Sequence, residues 1–160
     1  MSGLSRSARR AQEGFAARGF EARILELPDD AHSAVQAAAA IGCELAQIAK
    51  SLVFRLPDDA PLLVIASGAN RVDESKVAEL AGGSLAKADA DFVRAHTGYA
   101  IGGVPPTGHP EPIPAFLDED LLRFDEIWAA AGNPRAVFPI APATLIELSG
   151  ARVANVATRA

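Results

Sequence analysis

Apolar and polar positions divide this chain into short amphipathic stretches, punctuated by glycine, proline and acidic residues. Residues 5–18 have helical spacing, with Phe15 on the apolar side and Arg9, Arg10 and Glu13 toward water; Gly19 supplies the stop. Residues 21–27 read as a strand closed by Pro28-Asp29-Asp30. Ser33 and Gln36 have capping-box spacing, so a second helix starts at Ser33 and runs through an alanine-rich segment to Gly42. A helical turn at 44–48 leads into residues 50–56, a β-rich run ended by Pro57-Asp58-Asp59. Residues 61–66 form a second apolar run, and the pair predicts an antiparallel hairpin in the core.

Further along, Asp73 caps a helix to Leu80, ended by Gly82-Gly83, and a short strand is expected at 84–88. Asp89 caps the next helix through Arg94, which Gly98 closes. Pro112 and Pro114 confine any strand at 111–117 to a sheet edge. Residues 121–124 and 135–140 are strand candidates, with a short helix expected at 125–130 ending at Gly132. Residues 142–148 read as a helix with proline in its first turn and Gly150 past its end, followed by a last strand at 152–156. The chain carries no repeat, low-complexity tract or linker. One mixed α/β domain over residues 1–160 is predicted.

Composition narrows the function. Nearly half of the 160 residues, 49%, are hydrophobic, enough for a buried core; aromatics are few, so aliphatic packing dominates. A net charge of −5, without a lysine- or arginine-rich block, argues against a protein that coats nucleic acid. Contact with RNA is expected to be small and confined to one end of it. The single cysteine, Cys43, forms no internal disulfide and reads as a small packed residue. His32, His96 and His109 lie far apart and lack metal-ligand spacing, so neither metal nor cofactor is expected. No apolar run approaches the roughly 20 residues that span a bilayer, and the N-terminus lacks the apolar core of a signal peptide. A cytoplasmic protein without a membrane partner is the expectation.

Residues 98–109, Gly-Tyr-Ala-Ile-Gly-Gly-Val-Pro-Pro-Thr-Gly-His, are the least ordinary segment. Glycine permits positive φ and close backbone approach, and proline fixes φ and removes a donor. Such a loop either connects two elements tightly or aims peptide N–H groups at a phosphate, carboxylate or developing oxyanion. Lys50 interrupts two apolar runs, so its ammonium sits at a cleft mouth or at the sheet rim. Ser51 orients a substrate or pairs with backbone; His109 contacts a phosphate, acts as a base or faces solvent; Asn70 and Arg71 stand in a loop at a strand end. The glycine loop lacks the lysine and hydroxyl of a P-loop and the strand–GxGxxG–helix order of a dinucleotide fold. No serine sits in a nucleophile elbow.

Lys50 within Gln47-Ile48-Ala49-Lys50-Ser51-Leu52-Val53-Phe54, followed about fifty residues later by the loop from Gly98 to Pro106, resembles the YbaK/prolyl-tRNA editing domain family. The residues 67–73 and 124–128 are similar to the same family's intervening segments. The resemblance covers most of the chain. It implies a single compact α/β domain with a mixed, mostly antiparallel sheet flanked by helices, and hydrolysis of mischarged aminoacyl-tRNA, chiefly proline tRNA, in trans. The implied partners are the tRNA acceptor end and, transiently, prolyl-tRNA synthetase.

Residue by residue, the family's lysine matches Lys50, its carbonyl-binding loop matches Gly102, Gly103, Val104 and Pro105, and its substrate-facing polar residue matches Ser51. Ser33 falls near a pocket position that varies among subgroups. Some subgroups have an aspartate or histidine in the late strand where this chain places Phe138, so selectivity is expected to be set differently here. Two readings stay open at this stage: a deacylase, and a non-catalytic module that holds an aminoacyl-RNA end or a small nucleotide.

Overall fold

A computed structural model describes residues 3–31 and 33–159; His32 lies outside them. Five helices and eight strands alternate along the described chain: α1 (Arg6–Ala16), β1 (Leu25–Glu26), α2 (Ala34–Ile41), β2 (Ile48–Arg55), β3 (Pro61–Ser67), α3 (Glu74–Ala81), β4 (Ala86–Lys87), α4 (Ala90–Thr97), β5 (Ala115–Asp118), β6 (Ile127–Ala130), β7 (Ala136–Ile140), α5 (Pro142–Ser149) and β8 (Arg152–Ala154). The strands form one mixed sheet in the order β1-β7-β6-β2-β3-β5-β8, with β4 against β2. Its pairings divide into four antiparallel and three parallel ladders.

The helices begin and end where local chemistry dictates. The Ser33 hydroxyl accepts the Gln36 amide while the Gln36 side chain accepts the Ser33 amide, the reciprocal box anticipated for α2. Asp73 and Asp89 cap α3 and α4 by accepting first-turn amides. Replacing such a cap with alanine typically costs about 1 kcal/mol.

Alternation along β2 sends its side chains to the two faces of the sheet, where they join three apolar clusters. Ile48 packs with Ala37 and Ala38 of α2, and Phe54 packs with Val77 of α3. Ala49 joins the larger cluster with Phe15 of α1, Val93 of α4, Leu145 of α5 and Val104 of the glycine–proline loop. The sheet is thus covered by α2 and α3 on one face and by α1, α4, α5 and the loop on the other. Among the described residues no helix is long and apolar enough to cross a membrane.

Three local expectations are corrected. Residues 125–130 contain no helix: Ile127–Ala130 is strand β6, pairing antiparallel with β7 and parallel with β2. Residues 121–124 are not a strand; Glu119–Arg123 forms a 3-10 turn capped by the Asp118 carboxylate. The strand after the prolines is not at an edge, because β5 lies between β3 and β8 and all four of its residues are buried. Pro112 and Pro114 precede it, so their missing donors leave the ladder intact, and the Pro114 carbonyl accepts from Leu63.

Candidate functional site

The hairpin partner β3 satisfies only one side of β2. On the other side β6 reaches residues 48–49 and β4 reaches residues 54–55, so residues 50–53 have no strand neighbour there. The Gly68 amide donates to the Ile48 carbonyl, so even-numbered residues of β2 make the ladder bonds to β3. Ser51 therefore turns its main-chain groups into the break. A cavity of about 710 Å³ opens at this break. Lys50 and Ser51 line it from β2, Ser33 and Ala37 from α2, Trp128 from β6, Val137 from β7, and Ile101, Gly102 and Val104 from the loop.

Lys50 is half-buried on the face shared with Ile48 and Leu52, and its Nζ donates to the Asn70 carbonyl at 3.1 Å. Burial pulls its pKa below the ordinary lysine value, and the Asp118 carboxylate partly opposes that shift. Asn70 is itself pinned, because its side-chain amide donates to Asp118 at 2.9 Å and to Asp120 at 2.7 Å. Asp118, fully buried, also accepts the amides of Ser67 and Asp120. Asp118 at the end of β5 and Asp120 in the turn after it thus fix Asn70, whose carbonyl the ammonium rests against. One donor position of Lys50 is used there, while the group remains at the cavity wall.

Ser51, on the opposite face, has a hydroxyl with no hydrogen-bond partner among the described residues although the oxygen is buried. An unpaired buried hydroxyl ordinarily costs about 1–3 kcal/mol, which singles Ser51 out among the residues lining the cavity.

The loop presents its amides through a tight turn. Gly103 N–H donates to the Ala100 carbonyl at 3.0 Å, and Gly102 stands third in that turn with φ +88°, a conformation that favours glycine. This consumes the Gly103 amide and leaves those of Ile101, Gly102 and Val104 without a partner among the described residues. Gly103 is instead required by packing: a Cβ there would stand 2.6 Å from the Asn133 Cα and 2.8 Å from the Gly132 carbonyl.

Helix α1 holds the loop from behind. A Cβ on Gly14 would lie 2.7 Å from the Gly108 carbonyl, so helix and loop meet backbone to backbone. The Arg10 guanidinium donates to the Gly98 carbonyl at one end of the loop and stacks 4.4 Å over the Tyr99 ring. Arg18 donates to the His109 carbonyl at the other end. His109 is buried, with Nε2 2.7 Å from the Pro105 carbonyl, so that nitrogen carries the proton. Burial pushes its pKa down, against the Pro105 hydrogen bond and with Arg18 adding to the fall.

The structure therefore brings Lys50, Ser51, Ser33, Gly102 and Val104 to one cavity. Gly103, Pro105 and His109 support the loop without lining that cavity, Asn70 acts on Lys50, and Arg71 is exposed with its carbonyl bonded to Thr158. Phe138 does not face the cavity; it packs 4.6 Å from Phe15 and 6.1 Å from Phe20 in the α1 core, while its neighbour Val137 lines the wall. Sequence reasoning missed Trp128, because a helix at 125–130 gave its ring no defined direction. Alternation along Ile-Trp-Ala-Ala, treated as a strand, would have turned it toward the α2 side. Cys43 is partly packed and its thiol pKa is raised by burial, consistent with a packing residue.

Lys50 at the sheet break and the loop residues Gly102 and Val104 thus share one cavity in an α/β domain with helices on both faces of the sheet. Residues 28–148 match the model of the aminoacyl-tRNA editing domain, and the chain belongs to that family. It is 32% identical over 130 residues to YwhH of Bacillus subtilis (strain 168), covering 81% of this chain and 83% of that protein. It is 26% identical over 132 residues to the "Putative Cys-tRNA(Pro)/Cys-tRNA(Cys) deacylase EbsC" of Enterococcus faecalis (strain ATCC 700802 / V583), covering 82% and 80% of the two chains. A solved structure described as "a putative trans-editing enzyme for prolyl tRNA synthetase" superposes with a TM-score of 0.94 at 48% identity, over 98% of this chain and 99% of the other.

Proposed function

We propose that this protein hydrolyses, in trans, the ester bond of mischarged aminoacyl-tRNA, with proline tRNA carrying a small wrong amino acid as the substrate. The observation that carries the reading is the meeting at one cavity of Lys50 with Gly102 and Val104, whose amides have no partner among the described residues. The names borne by the similar prolyl-tRNA editing structure and by EbsC support the tRNA and the small side chain.

The chemistry needs no covalent nucleophile, since an aminoacyl ester is already activated. A water attacks the ester carbonyl, and the amides of Gly102 and Val104 hold the oxygen on which negative charge develops. The bond to the ribose oxygen then breaks, the ribose oxygen takes up a proton, and free amino acid and tRNA leave. Lys50 anchors the phosphate of the terminal adenosine, and the neighbouring ribose hydroxyl positions the water. Ser51 Oγ pairs with the aminoacyl group, and Trp128, Val137 and Ala37 bound the space for its side chain. Asn70 acts through Lys50, and Pro105 and His109 act by holding the loop; the cytosol, where charged tRNA is used, is the setting.

The test is a deacylation panel with proline tRNA charged with alanine, serine, threonine, cysteine or 2-aminobutyrate. Release of at least one is expected, and Lys50→Ala should lower its rate about 100-fold or more while the far-UV spectrum stays unchanged. Ester bonds that all survive long incubation with the wild-type protein would leave a binding module instead.

A further inference from the structure

Charge is distributed unevenly along the chain. Residues 1–23 carry five arginines against two glutamates, a net charge of +3, whereas the remaining residues carry ten basic and eighteen acidic side chains, a net of −8. Three of those five arginines, Arg6, Arg9 and Arg10, lie in α1. Advancing 100° per residue, Ala8, Ala11 and Phe15 mark the buried face of α1, and Ser7 and Gly14 mark the side in contact with the loop and with Gly132. Arg6, Arg9 and Arg10 fall on the outer face. Arg6 and Arg9 are exposed and have no acidic partner within ion-pair distance among the described residues.

The first turn of α1 also adjoins the cavity. Asn133 donates to the hydroxyls of Ser5 and Ser7 at 3.0 and 3.1 Å, and a Cβ on Gly132 would lie 2.3 Å from the Ser7 carbonyl. The next residue, Pro134, lines the cavity beside Gly102 and stands 3.4 Å from where a Cβ of Gly102 would be. The basic turn and the loop amides are thus joined through three consecutive residues. The helix lies outside residues 28–148, the segment matched by the family model.

We propose that the outer face of α1, with Arg6 and Arg9, is a docking surface for RNA phosphates of the acceptor stem, next to the cavity that receives the 3′ end. The proposal rests on the deacylase reading and extends it from the ester to the RNA behind it. In an otherwise acidic molecule, this face supplies the complementary charge and sets which side of the protein the stem approaches.

The test compares two substrates bearing the same amino acid, a full-length aminoacyl-tRNA and a 3′-aminoacyl CCA trinucleotide, over a salt series. In Arg6→Glu/Arg9→Glu, KM for the tRNA should rise about tenfold, kcat should hold, and the slope of log(kcat/KM) against log[salt] should flatten by about one to two. Trinucleotide kinetics should not change. Equal effects on both substrates, or no effect on either, would overturn the docking surface while wild-type hydrolysis upholds the deacylase. A wild-type protein inactive on both substrates would instead remove the deacylase reading, and the docking surface with it. Arg6→Gln/Arg9→Gln, which removes charge without reversing it, keeps the test open if the double glutamate variant misfolds: a smaller rise in KM for the tRNA alone supports the surface, and unchanged kinetics overturn it.

Discussion

The surroundings of Asp118 and of the Ser51 hydroxyl contrast sharply, although both are buried polar groups of the same sheet. Asp118 accepts from the amides of Ser67 and Asp120 and from the Asn70 side chain. The Ser51 oxygen receives nothing. Burial of polar atoms is costly in both places: the saturated region fixes the Asn70 carbonyl that Lys50 donates to, and the Ser51 hydroxyl is the group that, on the proposed function, the substrate would satisfy. Preorganisation and vacancy stand on the two faces of one strand, a residue apart.

The strongest challenge to that contrast targets the loop opposite Ser51. Gly103→Ala would force a Cβ against the Asn133 and Gly132 backbones, shift the free amides by a fraction of an ångström or more, and lower deacylation about 100-fold. Activity near wild type would mean that amide placement does not matter. Asp118→Asn comes next. It weakens a fully buried acceptor of three donors, so urea unfolding should show a loss of about 1–3 kcal/mol, with a raised KM as Asn70 and Lys50 loosen. An unchanged midpoint would mean the saturated region is dispensable.

Ser51→Ala should act in the opposite sense on stability. Removing an orphaned hydroxyl is expected to raise stability by up to about 1 kcal/mol while lowering kcat/KM roughly three- to tenfold. A destabilised but fully active variant would make Ser51 structural. The smallest effect belongs to His109. Burial depresses its pKa, so below the unfolded value of about 6.5 the unfolded chain binds more protons than the folded one. Its stabilising contribution is full above that pH and declines as pH falls through it. His109→Gln should flatten the acid limb of a melting-temperature profile, and an identical limb would show that other groups set it.

Much of the frame was legible because it is written locally. The Ser33–Gln36 box, the aspartate caps and the left-handed glycines after α2, α3, α4 and α5 each need only a few neighbouring residues. The β2–β3 hairpin followed equally from two apolar runs and a turn. Strand β6 was not legible: a four-residue segment of Ile, Trp and two alanines has no strong propensity, and it is a strand because β7 and β2 bracket it. The candidate site divides in the same way. Lys50, Ser51 and the glycine turn stand out by residue type, and they were expected together. The grip of α1 on the loop did not stand out, since it depends on Gly14 and Gly108 meeting across more than ninety residues.

The interruption between β6 and β4 has a consequence for what can be bound. A slot bordered by an unzipped strand offers main-chain donors and acceptors as well as side chains, and an oily guest of suitable size would leave them thirsty. A guest with its own amine and carbonyl, as every α-amino acid ester has, can answer them before its side chain is measured at all. On the proposed function, discrimination by volume would then work within a class of molecules that the backbone has already admitted.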